Sequence, residues 1–145
     1  MDSLIKALRS HMREEPGEEF NVAMYVRSAT RTQTENYGLK KQEYALFLFL
    51  AALKNFKVFS DNIKIKKYED SGISGLTMDR PGIKDLICDI HSREIDALLV
   101  TELDRISRDV FQVESFCRDL KAYKIKLYLA VNGPKEFEFF GPEVI

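Results

Sequence analysis

Short apolar runs alternate with segments of helical periodicity along most of this chain, and that alternation limits the folds available to it. The runs typical of strands cover residues 21–26, 62–68, 96–102 and 124–131, with a weaker one at Phe137 and Phe139. Apolar side chains at helical spacing fill residues 42–53, 81–90 and 110–120 between them. Strands that alternate with helices predict an α/β fold of three layers, with a mostly parallel sheet of about five strands and helices on both faces.

Two of these segments carry more detailed expectations. In NIKIKKY we expect Ile63 and Ile65 to point inward and Lys64 and Lys66 outward. Outward lysines are typical of an edge strand, where they discourage pairing with another chain. The stretch QEYALFLFLAAL at 42–53 is apolar almost all round, so as a helix it should be covered on more than one side.

Length, charge and cysteine content bound the class of protein. The 145 residues suffice for one domain with a substantial core, and no apolar run approaches the ~20 residues that span a bilayer. The net charge of −1 does not by itself indicate a nucleic-acid partner. Cys88 and Cys117 lack metal-type spacing, so we predict reduced core thiols in a cytoplasmic protein. With only His11 and His91, we expect no metal and no other cofactor.

The first twenty residues differ in character from the rest. Leu4, Ile5, Leu8 and Met12 fall on one helical face, and the acidic stretch EEPGEEF then interrupts the pattern. We therefore interpret residues 1–20 as an N-terminal amphipathic helix and acidic linker. Two roles remain open for this segment, a solubilising leader or a helix that docks on a partner.

Three polar clusters follow predicted strands. They are Arg27 with the SATRTQ turn, the stretch YEDSGISGLTMDRPG at 68–82, and ELDRISRD at 102–109. In parallel sheets, ligands bind beyond the carboxyl ends of the strands, where these clusters should meet. We expect Gly72 and Gly75 to allow sharp turns in the second cluster. Arg105 and Arg108 would share a face if a helix begins between them.

The arginines of these clusters, Arg27, Arg80, Arg105 and Arg108, suit a phosphodiester ligand. Each guanidinium is a planar fork that clamps two oxygens and stays protonated, and fixed donors stabilise a phosphoryl-transfer transition state without a metal. The alternatives are surface arginines paired with nearby acids, or a module that binds a small anion or a nucleotide.

The stretches YVRSATRTQ, EDSGISGLTMDRPG and LLVTELDRISRD, in this order and spacing, resemble the catalytic domain of the serine recombinases. This resolvase/invertase family includes phage integrases and transposases, and the resemblance covers about 22–131. It implies a resolvase-like fold for residues 21–145 and metal-free cutting and rejoining of DNA through a 5′-phosphoserine link. It also implies a homodimer or homotetramer in the full-length protein, in which one half of the complex rotates against the other.

The resemblance also implies roles for individual residues. Arg27, Arg80, Arg105 and Arg108 match the arginines that hold the scissile phosphate, and Asp104 matches the acid that precedes the arginine pair. Asp70 matches an active-site acid, and Gln33 and Gln42 match polar positions that flank the site. A covalent ester of this kind conserves bond energy, so religation requires no ATP.

The nucleophile position departs from the family pattern Tyr-x-Arg-x-Ser, because it holds Ala29. A methyl group does not attack phosphorus, so we expect no covalent link by the usual route, whether Ala29 is native or engineered. Side chains alternate along a strand, which places Ser28 on the opposite face from Tyr25 and Arg27. Ser28 can replace the nucleophile only if the turn begins at Arg27; otherwise it is a turn residue bonded to nearby backbone.

Two functions therefore remain open. The first is a site-specific DNA recombinase catalytic domain that is inactive as written. The second is a non-catalytic resolvase-like module for assembly or regulation, which would use the apolar helix and the N-terminal segment. Family members continue into a long helix and a DNA-binding domain, so we expect this chain to be a fragment or truncated homologue that binds DNA weakly.

Overall fold

The computed structural model describes residues 19–28, 33–55, 62–72, 77–130 and 138–140, with the side chains of 33–37, 53–55 and 138–140 excepted. The strands are β1 (Phe20–Ser28), β2 (Ile63–Ser71), β3 (Ala97–Val100), β4 (Lys126–Leu129) and β5 (Glu138–Phe140). The helices are α1 (Gln33–Asn55), α2 (Pro81–His91) and α3 (Val110–Ala122), with a short 3-10 helix at Leu103–Arg105. The predicted N-terminal helix and Gly75 lie outside the described residues.

The strands form one sheet in the order β2-β1-β3-β4-β5, in which the first four are parallel and β5 is antiparallel to β4. This arrangement confirms the predicted α/β fold with a mostly parallel sheet. It also confirms that β2 is an edge strand. In the register of β1 and β2, Arg27 lies beside Asp70, so two of the predicted polar clusters are neighbours.

Helices cover both faces of the sheet, as predicted. On one face, α1 packs through Leu46, Phe49 and Leu50 against even-numbered residues of β1 such as Met24. On the other face, α2 and α3 pack against odd-numbered residues of β1, among them Tyr25. The alternation of side chains along β1 therefore separates two apolar cores.

Three expectations about burial were wrong. The helix α1 is covered on one side only, and Tyr44 and Phe47 are 65% and 45% exposed on its outer side. Ile65 is 43% exposed because β2 is the edge strand, although it lies on the same face of the sheet as Ile63, which packs against the core. Cys88 is also exposed, since it lies on the outer face of α2, whereas Cys117 is a buried free thiol as predicted.

The start of α2 is as predicted, with Pro81 in the first helical position, where its missing N–H leaves no bond unmade. Gly72 takes a φ of 73°, which is the left-handed turn expected at the end of β2. Arg105 and Arg108 do not share an α-helix, because only one turn of 3-10 helix forms before Asp109 caps α3.

Within the described part of the chain, no helix has the length and apolar character needed to cross a membrane.

Candidate functional site

Arg27 is the penultimate residue of β1, and its side chain is 1% exposed. The guanidinium donates from Nε to the carbonyl of Arg105 over 3.1 Å, and from Nη2 to the carbonyl of Asp104 over 2.9 Å. In return, Nη1 of Arg105 donates to the Arg27 carbonyl over 3.2 Å. The end of β1 is thus joined by three hydrogen bonds to the turn that follows β3.

Arg80 reaches the same turn from the start of α2. It is fully buried, and its Nη1 donates to the carbonyl of Arg105 over 3.2 Å while Nη2 donates to the carbonyl of Ile106. The carbonyl oxygen of Arg105 therefore accepts from both Arg27 and Arg80. Arg27 from the end of β1 and Arg80 from the start of α2 thus meet at the turn that contains Arg105, and residues of all three predicted polar clusters come together.

A tyrosine links Arg80 to a carboxylate. Arg80 donates from Nη1 to the phenol oxygen of Tyr25 over 2.8 Å, and this phenol donates to Oδ2 of Asp70 over 2.6 Å. Burial, followed by the hydrogen bond to Asp70, raises the pKa of Tyr25, so it stays a phenol that donates to the carboxylate. The positive charge of Arg80 and the negative charge of Asp70 are connected through one buried hydroxyl.

Asp70 also holds the N-terminus of α2. Its Oδ1 accepts from the amide of Gly82 over 2.7 Å, and its Oδ2 accepts from the amide of Ile83 over 2.9 Å. The Asp70 carboxylate in β2 thus caps the N-terminus of α2, 12 residues later in the chain. Arg80, which occupies the N-cap position itself, makes no side-chain cap bond. A Cβ on Gly82 would lie 2.6 Å from the Glu69 carbonyl oxygen, so only glycine permits this approach.

Gln42 fixes the backbone of Arg27 from the side of α1. Its amide oxygen accepts from the Arg27 N–H over 3.2 Å, and its amide nitrogen donates to the Arg27 carbonyl over 2.9 Å. Both ends of this buried side chain are therefore used on a single residue. This contact explains why a polar residue is buried on the side of α1 that faces the sheet.

The site concentrates positive charge. Burial lowers the pKa of Arg27, and the positive charges of Arg80, Arg105 and Arg108 lower it further. Two buried donors, Nε of Arg80 and Nε of Arg105, have no hydrogen-bond acceptor among the described residues. A site with repelling cations and unused donors is suited to an anion.

The remaining predicted residues are less closely joined. The carboxylate of Asp104 and the guanidinium of Arg108 belong to exposed residues of the turn after β3. Ser28 is fully buried at the end of β1 and, by alternation, lies on the α1 side of the sheet. Ala29 lies outside the described residues. Gln33 begins α1, but its side chain is likewise outside them.

Sequence reasoning missed the part played by Tyr25 and by the backbone carbonyls of the turn. The available signal for Tyr25 was its spacing, since it shares a strand face with Arg27 two residues later. The carbonyl acceptors have no signature in the sequence, because every residue carries one.

Comparison with known proteins agrees with this architecture. The family model described as "Resolvase, N terminal domain" matches residues 22–139. The N-terminal catalytic domain of TP901-1 integrase is 29% identical over 76% of this chain and 77% of that chain, with a TM-score of 0.65. A resolvase family site-specific recombinase from Streptococcus pneumoniae is 25% identical over 77% of this chain and 72% of that chain, with a TM-score of 0.57.

A third solved structure shares the fold at lower identity. The C-terminal catalytic domain of ISC1926 TnpA, an IS607-like serine recombinase, is 20% identical over 77% of this chain and 67% of that chain, with a TM-score of 0.63. The comparison with curated proteins returned no match. The family model covers most of the sequence, from the third residue of β1 to the second residue of β5. The chain therefore belongs to the resolvase N-terminal domain family.

Proposed function

We propose that this domain is the catalytic domain of a site-specific serine recombinase and that its arginine cluster, Arg27, Arg80, Arg105 and Arg108, holds the scissile phosphate of DNA. The observation that supports this proposal most directly is the meeting of Arg27 and Arg80 at the carbonyl of Arg105. Fixed guanidinium groups stabilise the charge that develops on phosphate oxygens during strand transfer.

The electrostatics of the cluster support an anionic ligand. Arg27 is destabilised as a cation by its burial and by its arginine neighbours, and a phosphate would relieve that repulsion. The buried Nε donors of Arg80 and Arg105, which have no acceptor among the described residues, would gain one if a phosphate reached them. A phosphate oxygen carries negative charge whereas a backbone carbonyl is neutral, so a phosphate would compete with the backbone of the turn for these guanidinium groups.

The hydrogen bonds of the turn define a step that must accompany such binding. Arg27 and Arg80 donate to carbonyls of residues 104–106, and both side chains are buried. For a phosphate to contact them, the turn at Leu103–Arg105 must shift and release those donors. We propose that Asp70 acts by positioning Arg80 through Tyr25, instead of touching the phosphate itself.

The identity of residue 29 decides whether the chemistry proceeds. With Ala29 at the nucleophile position, we expect DNA binding without a covalent link. The test is Ala29→Ser, incubated with a pool of nicked, end-labelled duplexes of random sequence and analysed for protein–DNA adducts on denaturing gels. We expect an adduct with Ala29→Ser and none with the parent chain.

Two further variants keep this test specific. Adding Arg105→Gln to Ala29→Ser should reduce the adduct about a hundredfold, since a transition-state contact is lost. Adding Ser28→Ala should leave it unchanged, because Ser28 is buried on the other side of the sheet. An adduct in the parent chain that Ser28→Ala abolishes would reverse the assignment. Absence of an adduct with Ala29→Ser would contradict the proposed chemistry.

A non-catalytic assembly or regulatory module is the second candidate, and the exposed side of α1 favours it. Tyr44 and Phe47 present aromatic surface that a second subunit of the same chain would bury. Sedimentation over a range of concentrations should then show dimers or tetramers that Phe47→Ser weakens. A strict monomer at high concentration would exclude assembly through this helix.

A cytoplasmic location remains a prediction of the sequence.

A further inference from the structure

A second group of basic residues lies at the opposite end of the sheet, where the strands begin. A groove of about 280 Å³ opens there between the start of β1 and the loops that precede β3 and β4. Among the described residues that line it are three cations, Arg93, Lys124 and Lys126, and one acid, Asp96. The Asp96 carboxylate accepts from the Asn21 amide over 2.8 Å, so part of its charge is already engaged.

Two of these cations adopt an unusual backbone conformation. Arg93 has a φ of 59° and Lys124 a φ of 58°, and they are the non-glycine residues with positive φ in the described part of the chain. Each follows the C-cap of a helix, the position where glycine is the usual residue. A side chain in this region costs about 1 kcal/mol or more relative to glycine, so both helix ends carry a cation at the expense of stability.

Stabilisation of the helix ends does not explain why cations occupy these two left-handed positions. Cations near a helix C-terminus interact favourably with its dipole, but Lys121 already occupies the last turn of α3, and the basic residue His91 occupies the last turn of α2. Equivalent hydrogen bonds close both ends, from Glu94 N–H to the Asp89 carbonyl and from Ile125 N–H to the Leu120 carbonyl. Glycine would make the same bonds without strain.

One of the cations is held in place before any ligand binds. The guanidinium of Arg93 lies over the ring of Tyr123, 5.0 Å from its centroid. The ring of His91 stacks on Tyr123 with a centroid separation of 5.2 Å. A restrained guanidinium loses less conformational freedom when it binds an anion than a mobile one does.

We propose that Arg93 and Lys124 form a second anion site that binds a phosphate group, in a groove where Lys126 adds positive charge. The phosphate is carried by a nucleic-acid backbone or by a small phosphate ester, and both present the same oxygens to the groove. This site lies at the ends of β3 and β4 remote from the arginine cluster, so it depends neither on Ala29 nor on the proposed strand transfer.

The test uses the conformational strain to separate binding from folding. Arg93→Gly and Lys124→Gly each remove a cation and relieve a left-handed backbone, so these variants should unfold at higher temperature than the parent. The control is Arg118→Gln, which removes the same charge from α3 outside the groove. Binding is followed by amide chemical shifts during titration with sodium phosphate, against sodium chloride of equal ionic strength, and during titration with a short duplex DNA.

We expect saturable shifts at the amides of Arg93 and Lys124 with phosphate but not with chloride. Each glycine variant should weaken phosphate binding about tenfold, the loss typical of one charge-assisted bond, while Arg118→Gln leaves it unchanged. DNA that produces the same shifts and competes with phosphate identifies the backbone as the source; phosphate binding without DNA binding identifies a small ester. Unchanged affinity in both glycine variants, no saturable shift in the parent, or lower stability of the variants would overturn the proposal.

Discussion

The phenol of Tyr25 donates a 2.6 Å hydrogen bond to Asp70 across 45 positions of the chain, and the same carboxylate accepts from the first turn of α2. One buried acid therefore fixes β1, β2 and the helix that carries Arg80. Because Tyr25 in turn accepts from Arg80, the orientation of this guanidinium depends on groups that need not touch a substrate.

Removal of the Tyr25 hydroxyl should destabilise the folded protein. Tyr25→Phe leaves one buried donor of Arg80 and one acceptor position of Asp70 without this partner, and we expect a loss of about 1–3 kcal/mol in unfolding free energy. Urea denaturation measures it. The exposed residue Tyr44 provides the control, since Tyr44→Phe should change stability by less than about 0.5 kcal/mol. Equal effects of the two variants would argue against the network.

The contact between α2 and β2 requires glycine at position 82. In Gly82→Ala the new methyl would meet the Glu69 carbonyl oxygen at 2.6 Å and the Asp70 carboxyl at 2.9 Å. Because a strand carbonyl cannot rotate away, we expect a loss of about 1–3 kcal/mol in unfolding free energy. Lys84→Ala, on the exposed side of the same helix, should be nearly neutral, and thermal unfolding compares the two.

Gln42 should control local order at the end of β1. Gln42→Ala leaves the Arg27 N–H and carbonyl without this partner, at a cost of about 1–3 kcal/mol. Hydrogen exchange of the Arg27 amide should accelerate accordingly. Lys41→Ala, at the neighbouring exposed position, is expected to leave that exchange rate as it is in the parent.

The lowered pKa of Asp89 predicts how the stability of the protein depends on pH. Hydrogen bonds from Lys66 and then from Tyr68 hold the pKa of Asp89 below its ordinary value. A lowered folded-state pKa stabilises the protein above the unfolded value of about 3.9, and the contribution disappears as the pH falls through the folded value. The difference in unfolding free energy between the parent and Asp89→Asn should therefore be constant above about pH 5 and shrink below about pH 4.

The matched control for that titration is Asp85→Asn, because Asp85 is an exposed carboxylate on the same helix. Urea unfolding from pH 2.5 to 7 measures all three proteins. A parent-to-Asp89→Asn difference that grows toward low pH would have the wrong sign for a depressed pKa and would refute the interpretation.

The two cysteines should differ in reactivity. Cys88 is exposed, whereas Cys117 is buried and its burial raises the pKa of the thiol. With a chromogenic disulfide reagent we expect one fast thiol in the native protein and a second that reacts at the rate of unfolding. Cys88→Ala should abolish the fast phase, and Cys117→Ala should abolish the slow one. Two fast thiols would contradict the buried position of Cys117.

The order of elements was predictable from the sequence because periodicity is a local property. The apolar run at β3 and the proline at position 81 each indicate an element without reference to the rest of the chain. The exposed side of α1 was not predictable in this way. Hydrophobicity shows that Tyr44 and Phe47 favour burial, but the coverage of a helix depends on what packs against it.

The candidate site was predictable in outline only. Polar residues after parallel strands must gather at one edge, which brings Arg27, Arg80 and Arg105 together. The direction of each guanidinium is set by backbone carbonyls and by the capping of α2 by Asp70, contacts between residues far apart in the chain.

The shared acceptor at Arg105 has a kinetic consequence. That oxygen belongs to a short turn whose carbonyls at Asp104, Arg105 and Ile106 together hold Arg27 and Arg80, so a shift of the whole turn would loosen both arginines at once. Release of the two arginines from the turn should then be an all-or-none event, with no long-lived species in which one guanidinium is released and the other is still bonded to the turn.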